Sequence, residues 1–215
     1  MRKSKQEAAR TRERIVEAAA LEFRRNGLAG TGLSELMAAA GLTHGGFYGH
    51  FASKDQLVAE ACAAALDSGV KMSAAVLSHH RKRNGLGALA ANYLSKRHRD
   101  DRSGGCPFAA LGSELVRADE NTRAVLTEGL LKYANLIASQ FEGMRPDVAQ
   151  QRALAALSTM LGALILARIV TDPKLSALLL REATKHVAAG QRRKRQLRVA
   201  LRQDDRHTPQ RGRGR

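Results

Sequence analysis

The chain contains no tryptophan, and aromatic residues fill only 4% of its 215 positions, so any core must be assembled from Ala, Leu, Val, Ile and Met. That composition favours packed helices over a β-sandwich, whose strands draw on aromatic and β-branched side chains. Cysteine is almost as scarce. Cys62 and Cys106 stand at unrelated positions and give no disulfide framework, which points to a reducing compartment. The N-terminal stretch MRKSKQEAARTRERIVEAAALEF lacks the unbroken apolar run of a signal peptide. The most apolar stretch, residues 153–170, is interrupted by Ser158, Thr159 and Arg168 and falls short of a membrane span. The expectation is a soluble cytoplasmic protein that does not engage a membrane. Metal and catalytic constellations are also missing. His79 and His80 are adjacent, so they point to different faces of a helix, and no Cys, Asp or Glu stands nearby at ligand spacing. No metal, no cofactor and no enzymatic activity are expected.

What is present in excess is positive charge, a net +16. Its position matters more than its size. Residues 1–54 carry 9 Lys and Arg against 5 Asp and Glu, residues 55–190 carry 17 against 13, and residues 191–215 carry 10 against 2. Half of the excess therefore lies in the last 25 residues, and the overall charge does not by itself define a specific DNA-binding face.

Helical periodicity runs through the chain, with no strand alternation and no internal repeat. Ile15, Val16, Ala19, Ala20 and Phe23 mark the apolar face of a first helix, and Gly27 is placed to stop it. Thr31 is placed to cap a short second helix carrying Leu33, Leu36, Met37 and Ala40, which Gly41 ends. Thr43 is placed to cap a segment over residues 44–50, and Ser53 with Gln56 makes a capping box opening a long helix over residues 54–78. A polar break at residues 79–87 precedes a helix over 86–99. The SGGCP stretch breaks the chain again, with Cys106 at an N-cap and Pro107 at the first helical position. Further helices are expected after Asp119, over residues 146–170 and over residues 173–189. The fold class is all-α.

The stretch GLTHGGFYGHFASK (residues 41–54) places three glycines, Gly45, Gly46 and Gly49, in a short segment punctuated as a helix. Each costs an ordinary helix roughly 1 kcal/mol relative to alanine. Two short helices joined by a turn at Gly41, behind a supporting first helix, have the dimensions of a helix-turn-helix over residues 31–51. In that arrangement the bare backbone at Gly45 and Gly46 can approach a phosphate or a base edge closely. The plainer alternative is a glycine-rich turn between core helices.

Residues 11–58 closely resemble the N-terminal domain of TetR-family transcriptional regulators. The residues that carry the likeness are Ile15, Ala18, Ala19, Phe23, Gly27, Thr31, Leu36 and the run from Ala39 to Leu57, including Phe47, Tyr48, His50, Phe51, Ser53 and Lys54. The resemblance implies an N-terminal three-helix DNA-binding domain (11–58) behind a basic arm (1–10). A helical ligand-binding and dimerisation domain (59–190) would follow. The basic tail (191–215) falls outside the family pattern and reads from its composition as disordered and solvated, or as a source of non-specific phosphate contacts. The resemblance implies DNA-facing positions at Thr43, His44, Gly45, Gly46, Tyr48, His50 and Lys54, with Thr31 added to the set at the start of the second helix. Members often carry Lys or Arg where His44 stands and a bulkier residue at Gly46 or Gly49. Here the sequence code is expected to rest on His44, main-chain contacts and DNA shape.

The implied partners are an operator in double-stranded DNA, a second copy of the chain and a small-molecule effector. Residues 153–170 and 175–180 carry more apolar surface than one core-facing stripe needs and are either the homodimer's pairing helices or simply the central core helices of a monomer. Phe108, Leu111, Leu115, Leu130, Tyr133, Phe141 and Met160 offer an apolar lining for a hydrophobic effector, or are simply core. Cys106 is either a reactive thiol, activated by a helix N-terminus and the nearby Arg102, or a small residue at a tight bend. A similar glycine-cysteine step occurs in TetR-family repressors that respond to electrophiles and oxidants. Cys62 reads as packing. The implied function is a sequence-specific transcriptional regulator, a repressor released from its operator by a small molecule, oxidant or electrophile. The alternatives are a thiol enzyme using Cys106 and a non-specific basic nucleic-acid-binding protein.

Overall fold

The computed structural model describes residues 5–80 and 84–204, with side chains described through residue 190. Among the described residues there is no strand, and the all-α expectation holds. The helices are α1 (Lys5–Asn26), α2 (Leu33–Ala39), a 3-10 segment (His44–Gly49), α3 (Lys54–His79), α4 (Gly85–Tyr93), α5 (Lys96–Asp100), α6 (Pro107–Leu115), α7 (Glu120–Ala138), α8 (Pro146–Ile169) and α9 (Pro173–Asp204).

Two apolar cores organise these elements. The first gathers Ile15, Ala19 and Phe23 of α1, Leu36 and Met37 of α2, Phe47 and Phe51 around the 3-10 segment, and Leu57, Cys62 and Leu66 of α3. It also takes in Leu111 and Leu115 of α6 and Leu126 of α7, so the N-terminal core reaches well beyond residue 58. The second joins α4, α7, α8 and α9 through Leu86, Leu89, Tyr133, Ile137, Met160, Leu164 and Leu180. Helix α3 contributes to both, packing on α1 at one end and on α7 and α4 along the rest.

Most expected boundaries stand, and the differences have local causes. The expected helix over 86–99 is two helices, because Ser95 accepts from His98 N (3.2 Å) and caps a new start at α5. Thr31 does not cap α2; Gly32 occupies that position and its N–H donates to Glu35 Oε2 at 3.1 Å. Ser53 caps α3 by accepting from Gln56 N (3.1 Å), while Gln56 Oε1 accepts from Ala52 N (2.8 Å), one residue earlier than in the reciprocal box. Helix α9 does not end near residue 189. Its backbone runs to Asp204, through the first part of the segment expected to be disordered, which is rich in the helix formers Arg, Gln, Leu and Ala. The remainder of that tail, residues 205–215, and the first four residues of the N-terminal arm lie outside the described residues.

Candidate nucleic-acid interface and effector cavity

Helix α2 ends on Gly41, whose φ of +69° is a left-handed conformation that favours glycine. Gly41 N–H bonds Ala38 O (2.8 Å) and Leu42 N–H bonds Met37 O (2.8 Å), a double closure that turns the chain sharply into the 3-10 segment. Thr43 stands at the N-cap of that segment, but its side chain makes no capping bond. The expected α-helix over 44–50 is a 3-10 helix instead, as suits a segment with three glycines and weak helical propensity. Phe47 anchors it. The ring is fully buried, stacked on Phe51 with centroids 5.6 Å apart, and meets Tyr48 edge-on at 5.2 Å.

This anchoring turns the rest of the segment outward. Thr43, His44, Gly45, Gly46 and Gly49 are exposed, and Tyr48 is 68% exposed. Ser34 Oγ of α2 lies 3.2 Å from His44 Nδ1 and fixes the imidazole at the helix-turn-helix seam. None of Gly45, Gly46 and Gly49 has a positive φ. A Cβ added at Gly45 or Gly49 would meet nothing within 4 Å, and one at Gly46 only Met37 Cε, at 3.6 Å. Neither backbone conformation nor internal packing therefore requires these glycines.

Three expected contact residues sit differently. Thr31 is 1% exposed and its hydroxyl donates to Gly27 O (2.5 Å), closing the α1–α2 loop. Lys54 turns inward, donating from Nζ to Leu28 O (2.6 Å) and Thr31 O (2.7 Å), so two of its three N–H groups hold the same loop. Half-buried His50 has its carbonyl held by Arg12 Nε at 3.3 Å. Arg12 also pairs with Glu60 of α3 through two N–H groups and lies 4.4 Å over the Phe51 ring. Sequence reading did not identify Arg12, since its partners lie far away in the chain.

A second clasp ties this unit to the rest of the molecule. Glu114 Oε2, near the end of α6, accepts from Leu28 N (2.8 Å) and Ala29 N (3.0 Å) in the α1–α2 loop. Gly27 accommodates it: φ is +82°, and a Cβ there would lie 2.9 Å from Glu114 Oε1. Glu114→Ala is expected to cost about 2 kcal/mol, the usual worth of hydrogen bonds to a charged acceptor. Chemical denaturation should show it as a lower midpoint with an unchanged slope.

At the other end of α6, Cys106 borders a cavity of about 280 Å³ between α1, α3, α4, α5 and α7. Its polar rim holds Arg24, Ser73, Tyr93, His98, Asp101 and Tyr133; Leu66, Met72 and Pro107 supply apolar wall. Of the residues expected to line an apolar effector site, only Tyr133 does so. Leu111, Leu115, Phe141 and Met160 are consumed by the two cores. Arg102, expected beside the thiol, is exposed and lines a neighbouring groove. The guanidinium groups in electrostatic range of Cys106 belong to Arg24 and Arg168. Arg168, in the last turn of α8, donates to the carbonyls of His98 (2.8 Å), Arg99 (3.1 Å) and Asp101 (3.1 Å), tying α8 to the end of α5. Buried Cys62 has its thiol pushed up to about 11 by burial and stays protonated, as a packing role requires.

His98 holds the cavity's edge. Its Nδ1 lies 2.6 Å from Tyr93 O, and Cys106 N–H donates to its Nε2 at 3.1 Å, which fixes a neutral ring protonated on Nδ1. Both nitrogens are thus engaged by backbone groups rather than by the thiol. Burial lowers the His98 pKa, with Arg168 adding to the effect and the Tyr93 carbonyl and Asp101 opposing it. The folded state therefore binds this proton less readily than the unfolded chain. The associated stability is complete above the unfolded value of about 6.5 and is lost as pH falls toward the folded value. Melting temperatures of the parent should fall between pH 7 and pH 5 more steeply than those of His98→Gln.

The comparisons with known proteins agree with this geometry. Residues 15–61 match the family described as bacterial regulatory proteins, tetR family. Residues 84–179 match the transcriptional regulator LmrA/YxaF-like C-terminal domain. An HTH-type transcriptional regulator from Mycobacterium tuberculosis is 31% identical over 171 residues, covering 75% of this chain and 86% of that one. A TetR regulator from Chloroflexus aurantiacus superposes with a TM-score of 0.60 at 30% identity, over 86% of this chain and 95% of that one. The reduced form of E. coli NemR shares the fold, with a TM-score of 0.68 at 23% identity over 83% and 95% of the two chains. A glycine-bare, outward-facing segment on a Phe47 anchor and this pattern of relatives lead to one conclusion: the chain belongs to the TetR family and is a DNA-binding transcriptional regulator.

Proposed function

We propose that the chain is a cytoplasmic, homodimeric repressor that reads a near-palindromic operator with Thr43, His44, Gly45, Gly46, Tyr48 and His50, and releases it when the cavity beside Cys106 is engaged. The observation that carries the reading is the set of exposed glycines with no internal need to be glycine. Their bare backbone suits close approach to phosphate and base edges, with Tyr48 offering a hydroxyl to the phosphates and His44 a ring edge to a base. Thr31 and Lys54 serve this site from behind, by shaping the loop that sets the angle of α2. Cys106 supplies the chemistry of release. Its sulfur adds to a quinone ring carbon, the new S–C bond forming as the thiol proton passes to the ring system, which becomes a hydroquinone.

Selection of bound duplexes from a random pool, with and without benzoquinone, tests this. A single enriched near-palindrome is expected, released by the quinone from the parent and retained by Cys106→Ser. No enrichment over the starting pool would refute the operator reading. Equal release from both proteins would remove Cys106 from the mechanism.

A further inference from the structure

The cavity contains two polar groups that the protein leaves unsatisfied. Arg24 Nη1 and Tyr93 OH are buried without a hydrogen-bond partner. Buried donors without acceptors are costly and rare in native proteins, so each calls for an explanation. Tyr93 is 5% exposed, and the Cys106 sulfur beside it lies outside hydrogen-bonding geometry. Burial, reinforced by Cys106, pushes the Tyr93 hydroxyl far above its ordinary range, so it offers a proton rather than a charge. Arg24 spends its Nε–H on Ser103 O (2.5 Å), which orients the fork and leaves Nη1 over.

Both unpartnered groups are donors, and both line the same cavity. The occupant must therefore bring acceptors. A guanidinium favours a charged, planar acceptor, and two donors match the two oxygens of a carboxylate better than the larger demand of a phosphate. Asp101 does not fill this role, because its carboxylate is held by Gly104 N–H (2.7 Å) and Ser103 Oγ (3.2 Å). Leu66, Met72 and the Tyr133 ring add apolar surface to the same cavity.

We infer that the cavity binds a small organic carboxylate, its oxygens accepting from Arg24 Nη1 and Tyr93 OH and its apolar body lying against Leu66, Met72 and Tyr133. The inference rests on the reading of this cavity as the effector site and names the effector's class. It also gives the ligand a hold on both parts of the molecule. Arg24 stands on α1, the helix that supports the recognition segment, and Tyr93 on α4.

Calorimetric titration of the full-length, DNA-free protein with cinnamate and hexanoate tests it, with cinnamamide as the uncharged counterpart of cinnamate. One cinnamate per chain is expected, with the amide weaker by about tenfold or more, as befits loss of a charge-assisted bond. Arg24→Gln and Tyr93→Phe should each weaken cinnamate by about tenfold. Tyr93→Phe carries a second signature, since it removes an unsatisfied hydroxyl: its ligand-free melting temperature should equal or exceed the parent's while its affinity falls. The inference is overturned if neither carboxylate gives saturable heat, if the amide binds as well as the acid, or if Tyr93→Phe binds like the parent. No DNA enters this measurement, so its failure leaves the operator selection standing. Failure of the operator selection would in turn leave carboxylate binding standing.

Discussion

Gly45→Leu will fold as the parent does and lose its operator. The added side chain meets no protein atom near its Cβ, and the backbone there is not left-handed, so the melting temperature should move by no more than about 2 °C. On DNA the same side chain stands between the backbone N–H groups and the phosphates they approach. Losing that approach should cost about 3 kcal/mol, roughly two orders of magnitude in Kd. Gly46→Leu should behave alike, with a small extra penalty from crowding Met37 Cε. Fluorescence anisotropy on the selected operator, beside a thermal melt, separates folding from binding. A leucine variant that binds as tightly as the parent would falsify the idea that bare backbone meets the duplex.

The second large effect is expected at the far end of the molecule. Helix α8 is apolar on more than one face. Ala153, Leu157, Met160 and Leu164 are buried within the chain, while Leu166 is 50% and Ile169 68% exposed. Leu175 and Leu178 extend the exposed apolar surface onto α9. Exposed apolar side chains beyond the core-facing stripe of α8, in a family whose members act as dimers, point to a two-fold pairing surface. Ile169→Arg places a charge there twice, once from each copy. At about 3 kcal/mol for each desolvated charge, the dimer should weaken by roughly four orders of magnitude. Sedimentation at micromolar concentration should then give a monomer, and operator binding should collapse to that of a single half-site. A variant that sediments as a dimer would move the interface elsewhere.

Local punctuation made the N-terminal unit readable in advance. Gly27 and Gly41 stop their helices, Ser53 opens α3, and the spacing of Ile15, Ala19 and Phe23 marks the buried face of α1. The direction of Lys54 was not readable. Whether a lysine at the first turn of a helix faces DNA or folds back onto Leu28 and Thr31 depends on how α3 meets the α1–α2 loop. Thr31 was misplaced by one position, because Gly32 takes the N-cap with its N–H held by Glu35, and Thr31 instead binds Gly27 O. The cavity was least legible of all. Its polar groups come from α1, α3, α4, α5 and α7, and Arg24 has no local feature to distinguish it from Arg25, its exposed neighbour. Only packing reveals which arginine points inward.

The brevity of α6 has a mechanical consequence. With nine residues, Pro107–Leu115, it is about 13 Å long, too short to bend appreciably. A sulfur sits at its start and a carboxylate gripping the α1–α2 loop near its finish. A tilt imposed at the first end would be carried to the second with little internal bending of the helix. In a two-fold pair, two such tilts would act symmetrically on the distance between the two helix-turn-helix units, a distance that B-form DNA fixes by its own helical repeat.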